Sequence, residues 1–516
     1  MKTKKVQIDK TKLSPAALVE YIEHLENENE KLKERLNLLL YQRYVRSAER
    51  VLNAEGQQLL FEEEEQQETP EAEVNPAEDE NNQEIKSYTR KKPGRKPIDP
   101  NLPRKEEIID IPESEKTCAC GEQMSKIGEE TSEKVEIIPP SMYVLRTVRP
   151  KYACSACEGT EDESKSAIKI APPPPTIIPR SIASASLLSY VMIQKYQDHL
   201  PFYRQEVQFR RTGIEISRQD MSNWQQQVYT KLLPLFSLMK DVIMSGFVIQ
   251  MDETTVQVMG EEGRDDTKKS YMWLARGGPP GKIVVIYDYH ETRESHHAKK
   301  FLEGYSGYLQ TDGYNGYDLA VKDNPNIIHV GCFAHARRKF FEADKASKKS
   351  PSAQEGIKYI RKLYELERRL REKKLEDNDF LKQRKEEAEP ILAMFKAWLD
   401  KRVVEVPPSL LLGKAISYTI NQWDKLVMYL ESPYLTPDNN ACENAIRPFV
   451  LGRKNWLFNK SPKGAESSCG IYSLIETAKQ NGIEPLLYLR ELFERCPHAN
   501  SSEDWEKLLP WNIFKA

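Results

Sequence analysis

The sequence predicts a multidomain α+β protein in which one sheet-based domain is split by an all-helical insertion. Three observations point there. Strand-like runs at Val248–Met251, Tyr271–Ala275 and Ile283–Tyr287 follow one another through short loops, the pattern of an antiparallel meander. A helical stretch, Arg293–Leu302, then leads to two further short strands, Tyr308–Leu309 and Ile327–Val330. After these, residues 341–437 are helical in pattern, with Tyr359–Lys374, Lys382–Leu399 and Ile416–Leu430 as the predicted helices. At 516 residues the chain is too long for one core, so three or four domains are expected.

The N-terminal region, 14–50, is predicted to be a coiled coil. Leu18, Ile22, Leu25, Asn29, Leu32, Leu36 and Leu39 recur at spacings of four and three, with Glu, Lys and Asn between them. Asn29 at a core position favours one register and a homodimer or higher oligomer; the alternative is one amphipathic helix docked on its own chain.

Residues 53–100 read as a linker. Its stretch 55–84 holds twelve Asp/Glu and no Lys or Arg, too little apolar surface to offset the entropy of ordering. The formal net charge is −3, so the rest of the chain carries +9 and is moderately basic. Mean hydropathy is −0.66. The tract gives way to Lys86, Arg90, Lys91, Lys92 and Pro93-Gly94-Arg95-Lys96-Pro97. Arg95 and Lys96 flank a flat, extended core suited to the DNA minor groove; a solvated basic linker is the plainer reading.

In residues 102–171, Cys118 and Cys120 are followed by Cys154 and Cys157, with strand-like segments Lys134–Ile138 and Tyr143–Tyr152 between. Two close thiolate pairs match the tetrahedral preference of a structural Zn²⁺ and read as a zinc ribbon. The first pair is one residue shorter than usual. Arg149 and Lys151, with Arg146, suit a phosphate backbone. Eight cysteines in a chain without a secretory signal point to metal or free thiols, and to a cytoplasmic protein. No run of eighteen apolar residues predicts a membrane span.

Residues 176–240 should be helical: Ser184–Gln197, Pro201–Arg211, a turn at Gly213, and a third helix capped by Ser217. The trio is helix-turn-helix-like, with Arg218 and Gln219 placed to reach base edges, or else an ordinary helical layer on the next domain.

Two apolar runs each deliver a carboxylate: Asp252 in Met251-Asp252-Glu253-Thr254 and Asp312 in Thr311-Asp312-Gly313-Tyr314. Glu253 rivals Asp252, but strand alternation puts them on opposite faces. Three antiparallel strands, a helix, then a strand with a second acid is the order of a ribonuclease-H-like fold. A third acid is then expected on a helix. The candidate, Glu443, comes 131 residues after Asp312, which is why 341–437 reads as an insertion into a domain made of 245–340 and 438–484. Residues 485–516 form a C-terminal docking segment. Three such acids suit two hard divalent cations, Mg²⁺ or Mn²⁺, acting in phosphoryl transfer on double-stranded DNA. Arg447, Arg453 and Lys454 follow Glu443 as candidate phosphate contacts, although Arg447 at i,i+4 could instead pair with Glu443. Arg337 and Arg338 read as DNA-facing. Cys332 and His335 just before them have metal-ligand spacing; they form a second metal site, orient a phosphate or water, or are a buried thiol and a structural histidine.

The segments Met251–Thr254, Thr311–Tyr314, Cys332-Phe333-Ala334-His335-Ala336-Arg337-Arg338 and Glu443-Asn444-Ala445-Ile446-Arg447-Pro448 resemble the transposases of bacterial insertion sequences of the sixty-six family. Val148–Cys154, Lys195–Pro201 and Leu509-Pro510-Trp511-Asn512 are similar to them too, so the likeness covers nearly the whole chain. The resemblance implies a nucleoid-associated bacterial DDE transposase with acids at Asp252, Asp312 and Glu443, a zinc-binding domain and a helical insertion. It implies cleavage at terminal inverted repeats, attack of the freed 3′-hydroxyl on target DNA, and small accessory proteins encoded by the element. A non-catalytic DNA-binding descendant and a structure-selective nuclease of the same fold are the alternatives.

Overall fold

The computed structural model describes residues 15–44, 142–153, 168–347 and 350–515. The candidate zinc ligands Cys118, Cys120, Cys154 and Cys157, the pair Arg95 and Lys96, and the linker 53–100 lie outside the described residues. The chain divides into two units, Glu68–Pro173 and the remainder.

In the smaller unit, β1 (Lys151–Ala153) pairs antiparallel with β2 (Ile168–Ile170). The strand expected over Tyr143–Tyr152 is therefore much shorter: regular pairing begins only at Lys151, and residues 142–150 are exposed and outside regular structure. Arg149 donates to Ala171 O across this ladder at 2.8 Å.

The larger unit is built on a five-stranded sheet. β3 (Val248–Gln257), β4 (Lys269–Gly277) and β5 (Val284–His290) form the antiparallel meander. After α6 (Ser295–Phe301), β6 (Gly307–Gln310) joins β3 in parallel. After α7 (Asn315–Val321), β7 (Ile327–Val330) joins β6, again in parallel. The spatial order is β5-β4-β3-β6-β7, so the first strand is central. β3 runs six residues past Met251, which sets Asp252 within the strand rather than at its end.

Four helices precede the sheet: α2 (Ala185–Tyr196), α3 (Phe202–Arg211), α4 (Arg218–Lys231) and α5 (Leu233–Met244). Ser184 caps α2 by accepting from Leu187 N, and Ser217 with Asp220 makes a capping box on α4. Their buried residues, including Leu188, Met192, Trp224, Val228 and Met239, belong to the same core as Ile249, Met272 and Leu274 of the sheet. These helices are thus a layer of the sheet domain rather than a separate module.

Helices α13 (Asn440–Trp456) and α14 (Pro462–Gln480) complete that domain. α14 covers the β5 edge with hydroxyls: Ser473 Oγ accepts from Tyr287 N at 2.8 Å, and Thr477 Oγ1 accepts from Val285 N at 3.0 Å. An edge that would otherwise offer unpaired backbone groups is closed by side chains. The C-terminal segment, α15 (Pro485–Arg495) with Trp505, Leu508, Leu509 and Trp511, buries itself against the helical layer, chiefly α2 and α5.

The insertion has its own core. α8 (Phe333–Ala346), α9 (Pro351–Glu372), α10 (Asp377–Glu405), α11 (Leu411–Asn421) and α12 (Trp423–Val427) gather Phe340, Ile360, Leu363, Phe395, Trp398 and Ile416 into a second cluster. α1 (Pro15–Tyr44) lies along α8 of its own chain. Asn37 Nδ2 donates to Ala346 O at 2.7 Å, and Glu34 Oε2 accepts from Leu411 N at 3.0 Å.

Candidate active site

Asp252 and Asp312 are brought together by the pairing of β3 with β6, whose register sets Gln250 opposite Gln310. Side chains two apart on a strand share a face, so Gln250 lies on the face of Asp252, while Asp312 follows Gln310 by two residues just past the end of β6. The glutamines join across the strands, Gln250 Nε2 donating to Gln310 Oε1 at 2.8 Å, with both residues buried. Arg276 Nη1 holds Gln250 Oε1 at 3.0 Å. The shared Gln-x-Asp spacing was visible in the sequence and was missed.

Glu443 returns to the strands through four bonds at the end of the insertion. Gln310 Nε2 donates to Thr436 O at 2.7 Å, and Phe333 N donates to Pro437 O at 2.9 Å. Asn439 Nδ2 donates to Met251 O at 3.0 Å, beside Asp252, while Asn439 N donates to Cys332 Sγ at 3.2 Å. Asn439 is the cap residue of α13, but its amide is used to fasten the helix to β3. Glu443 lies in the first turn of that helix.

The electrostatics mark this cluster as short of positive charge. Burial pushes the Asp252 carboxyl well above the usual carboxylate range, and Glu253, Glu443 and Asp312 push it further in that order. Among the described residues, the hydrogen bond that opposes the shift is from Glu253 N to Asp252 Oδ1 at 2.8 Å. Asp312 Oδ1 accepts from Tyr314 N at 2.9 Å. The remaining carboxylate oxygens fit hard divalent cations, whose charge would offset the repulsion. Glu253, the rival acid, is engaged elsewhere: Arg293 Nε donates to its Oε1 at 2.5 Å, and the Tyr317 hydroxyl bonds its other oxygen. Gly313 follows Asp312 where a Cβ would come within 2.7 Å of the Tyr418 ring, so α11 of the insertion leans directly on the Asp312 turn.

The three acids do not close on a single ion. Among the described residues, the group whose ligand atoms all lie within 4.8 Å of one another is Cys332, His335 and Glu443. His335 Nδ1 is 3.5 Å from Glu443 Oε1, and Arg338 Nη2 is 3.1 Å from Glu443 Oε2. Burial lowers the His335 pKa, Glu443 opposing and Arg338 reinforcing that shift. Burial pushes the Cys332 thiol well up.

The cationic candidates divide. Arg338 is exposed, whereas Arg337 is buried at 2% and does not face DNA, contrary to expectation. Phe333, Ala336, Arg337 and Phe340, at i, i+3, i+4 and i+7, form the inward stripe of α8, and Arg338 falls outside it. The cation at Glu443 is Arg338, and among the described residues Arg447 makes no ion pair with that acid. Arg453 is turned inward, Nη1 donating to Thr254 Oγ1 at 3.0 Å and so fastening α13 to β3. Lys454, Arg218 and Gln219 are exposed, as are Arg149 and Lys151 in the smaller unit.

The chain matches the model of the IS66 transposase family over residues 180–467. Residues 115–158, which contain all four candidate zinc cysteines, match the zinc-finger binding domain of IS66 transposases. Residues 473–511 match the IS66 C-terminal element, and 31–106 match a segment described as "Transposase C of IS166 homeodomain". Similar proteins include three uncharacterized proteins of Sinorhizobium fredii. y4hP is 30% identical over 84% of this chain and 79% of its own length. y4jD is 32% identical over 80% of each, and y4qI is 32% identical over 81% of this chain and 77% of its own length. Among the described residues, no helix is long and apolar enough to cross a membrane.

Proposed function

Since the chain belongs to the IS66 family of transposases, we propose that it binds the terminal inverted repeats of an insertion sequence and catalyses DNA cleavage and strand transfer. The sheet order β5-β4-β3-β6-β7, with the outer meander antiparallel and β6 and β7 parallel to β3, supports a ribonuclease-H-like catalytic domain. The observation that carries the reading is the return of Glu443 across the insertion, through Gln310, Cys332 and Asn439, to the strand that bears Asp252.

Asp252, Asp312 and Glu443 are the catalytic acids and would hold two divalent cations, Mg²⁺ or Mn²⁺. When bound, such ions would supply an activated oxygen nucleophile and charge neutralisation for in-line displacement at phosphorus. The Gln250–Gln310 pair fixes the spacing of Asp252 in β3 and Asp312 just past β6, and Arg338 fixes the orientation of Glu443. Arg447 and Lys454, which follow Glu443 along the same face of α13, bind phosphates. Arg218 and Gln219, on the exposed start of α4, contact DNA beyond the cleavage site. Cys118, Cys120, Cys154 and Cys157 hold a structural Zn²⁺, and Arg149 and Lys151 of the same unit lie against the DNA backbone. The α1 seam joins two copies of the chain.

The test uses the inverted repeats flanking the gene as substrate. Asp252→Asn, Asp312→Asn and Glu443→Gln each abolish strand cleavage and leave binding of the repeats intact. Because Asp252 is buried among like charges, the Asp252→Asn chain also melts no lower than the parent in metal-free buffer. Undiminished cleavage by any of the three variants overturns the assignment.

A further inference from the structure

Cys332, His335 and Glu443 meet where the N-termini of α8 and α13 converge. Cys332 is the cap residue of α8 and 1% exposed; His335 lies one turn on; Glu443 lies in the first turn of α13. His335 Nδ1 and Glu443 Oε1 are both buried and both lack a hydrogen-bond partner. They face each other at 3.5 Å, too far for a good hydrogen bond. That distance is instead the edge of a coordination tetrahedron: two ligands each about 2.0–2.2 Å from one ion stand roughly 3.3–3.6 Å apart. The thiol of Cys332 completes a triangle in which all ligand atoms lie within 4.8 Å.

The surroundings are those of a supported ligand set. Asn439 N donates to the Cys332 sulfur at 3.2 Å, as backbone amides do to metal thiolates. Arg338 holds Glu443 Oε2 at 3.1 Å, which leaves Oε1 turned to the histidine. Thiolate, carboxylate and neutral imidazole together carry two negative charges, the complement of one divalent cation. Sulfur and nitrogen donors select against Mg²⁺ and toward zinc-class ions.

We propose that Cys332 Sγ, His335 Nδ1 and Glu443 Oε1 bind one zinc-class divalent cation, with the fourth position left for water or a phosphodiester oxygen. The inference deepens the transposase reading and rests on it only for the catalytic part of Glu443. This revises one half of the cation assignment above: the position that Glu443 serves would take a zinc-class ion, and Mg²⁺ or Mn²⁺ is kept only for the position held by Asp252 and Asp312.

The experiment is metal analysis and cobalt substitution of the full, tag-free chain, read beside the variants Cys154→Ser, His335→Gln and Cys332→Ser. The parent chain retains about one zinc equivalent more than His335→Gln after dialysis against a mild chelator. Cys154→Ser removes only the equivalent belonging to the smaller unit and keeps the cobalt–thiolate absorption of a one-sulfur site. His335→Gln is the deciding variant, because replacing the buried Cys332 risks unfolding; a melt with no loss of cooperativity qualifies either. Equal metal content and identical cobalt spectra in the parent and His335→Gln overturn the proposal. Neither readout involves cleavage, so a failure here is separate from a failure of the acid variants.

Discussion

Single residues in this chain carry charge where burial opposes it, and Lys195 shows the consequence most simply. Its amine sits 3.9 Å from the centre of the Phe202 ring and donates to Gln225 Oε1 at 3.0 Å. Burial pushes its pKa down to about 7. An unfolded lysine keeps its proton to about pH 10.4, so between that value and 7 the unfolded chain binds a proton that the folded chain has released. Stability therefore rises with pH across this window, by about 1.4 kcal/mol per pH unit for this one group, and is flat below it. Denaturant unfolding of the Lys195→Met chain, measured from pH 7 to 10, should lack that rise; curves that run parallel to those of the parent chain rule the mechanism out. Arg337 teaches the complementary lesson. The run Arg337-Arg338-Lys339 reads as one basic patch, yet helical rotation sends Arg337 into the core and leaves Arg338 at Glu443.

Among the elements, the insertion decides where Glu443 arrives, and a buried clamp holds its exit. Arg384 is 0% exposed; Nη1 donates to Tyr429 O at 2.9 Å and Ser432 O at 2.8 Å, and Nη2 to Leu435 O at 3.0 Å and Glu367 Oε1 at 2.7 Å. Arg371 Nη2 adds bonds to Pro433 O at 2.8 Å and Leu435 O at 3.0 Å. Arg384→Met leaves Glu367 to Arg371 Nε, 2.9 Å away, and takes the buried donor from Tyr429 O and Ser432 O; it should cost about 2–3 kcal/mol, and the double change with Glu367→Leu should recover only part of that loss. Cleavage should stay low in both, because Tyr429 O and Ser432 O have lost their Arg384 donor; a double variant as active as the parent chain would show the clamp to be dispensable. The strands, the helices before them and the insertion were legible from periodicity, and Asp252 and Asp312 from their apolar runs. The clamp was not: Arg384 falls on the stripe of Phe380, Ala388 and Leu392, which marks it as inward-facing, but its carbonyl partners lie forty-five to fifty-one residues downstream. The Gln250–Gln310 pair was written in the sequence as a repeated spacing, but its meaning needs the parallel register that joins strands sixty residues apart. The path of Glu443 was equally hidden, because it depends on backbone amides meeting side chains across the insertion.

For the whole molecule, α1 has two faces: one is docked on its own chain, and the other carries the proposed dimer seam. Glu34 and Asn37 turn toward α11 and α8 of the same chain. The heptad positions turn away: Leu25 is 46% exposed, Leu32 64%, Leu36 57% and Leu39 55%. Asn29 lies exposed on the same seam. A row of leucines at a/d spacing, left in water by a helix already fastened through its polar side, is the pattern of one strand of a parallel pair, and Asn29 would set its register. A second copy of α1 fits this seam because identical heptads bring each leucine row against its equivalent. Leu32→Glu with Leu36→Glu places four carboxylates in a paired seam, where they repel, but only two exposed carboxylates on a single chain, where they are harmless. The double variant should therefore sediment as a monomer with an unchanged melting profile, while the parent chain sediments as a dimer or larger. A parent chain that is monomeric at micromolar concentration, or a double variant that keeps the parent's assembly, would leave α1 as a docked helix and nothing more. Loss of the dimer should also weaken binding to paired inverted repeats more than binding to a single repeat, since two linked modules gain effective concentration only when both sites are present.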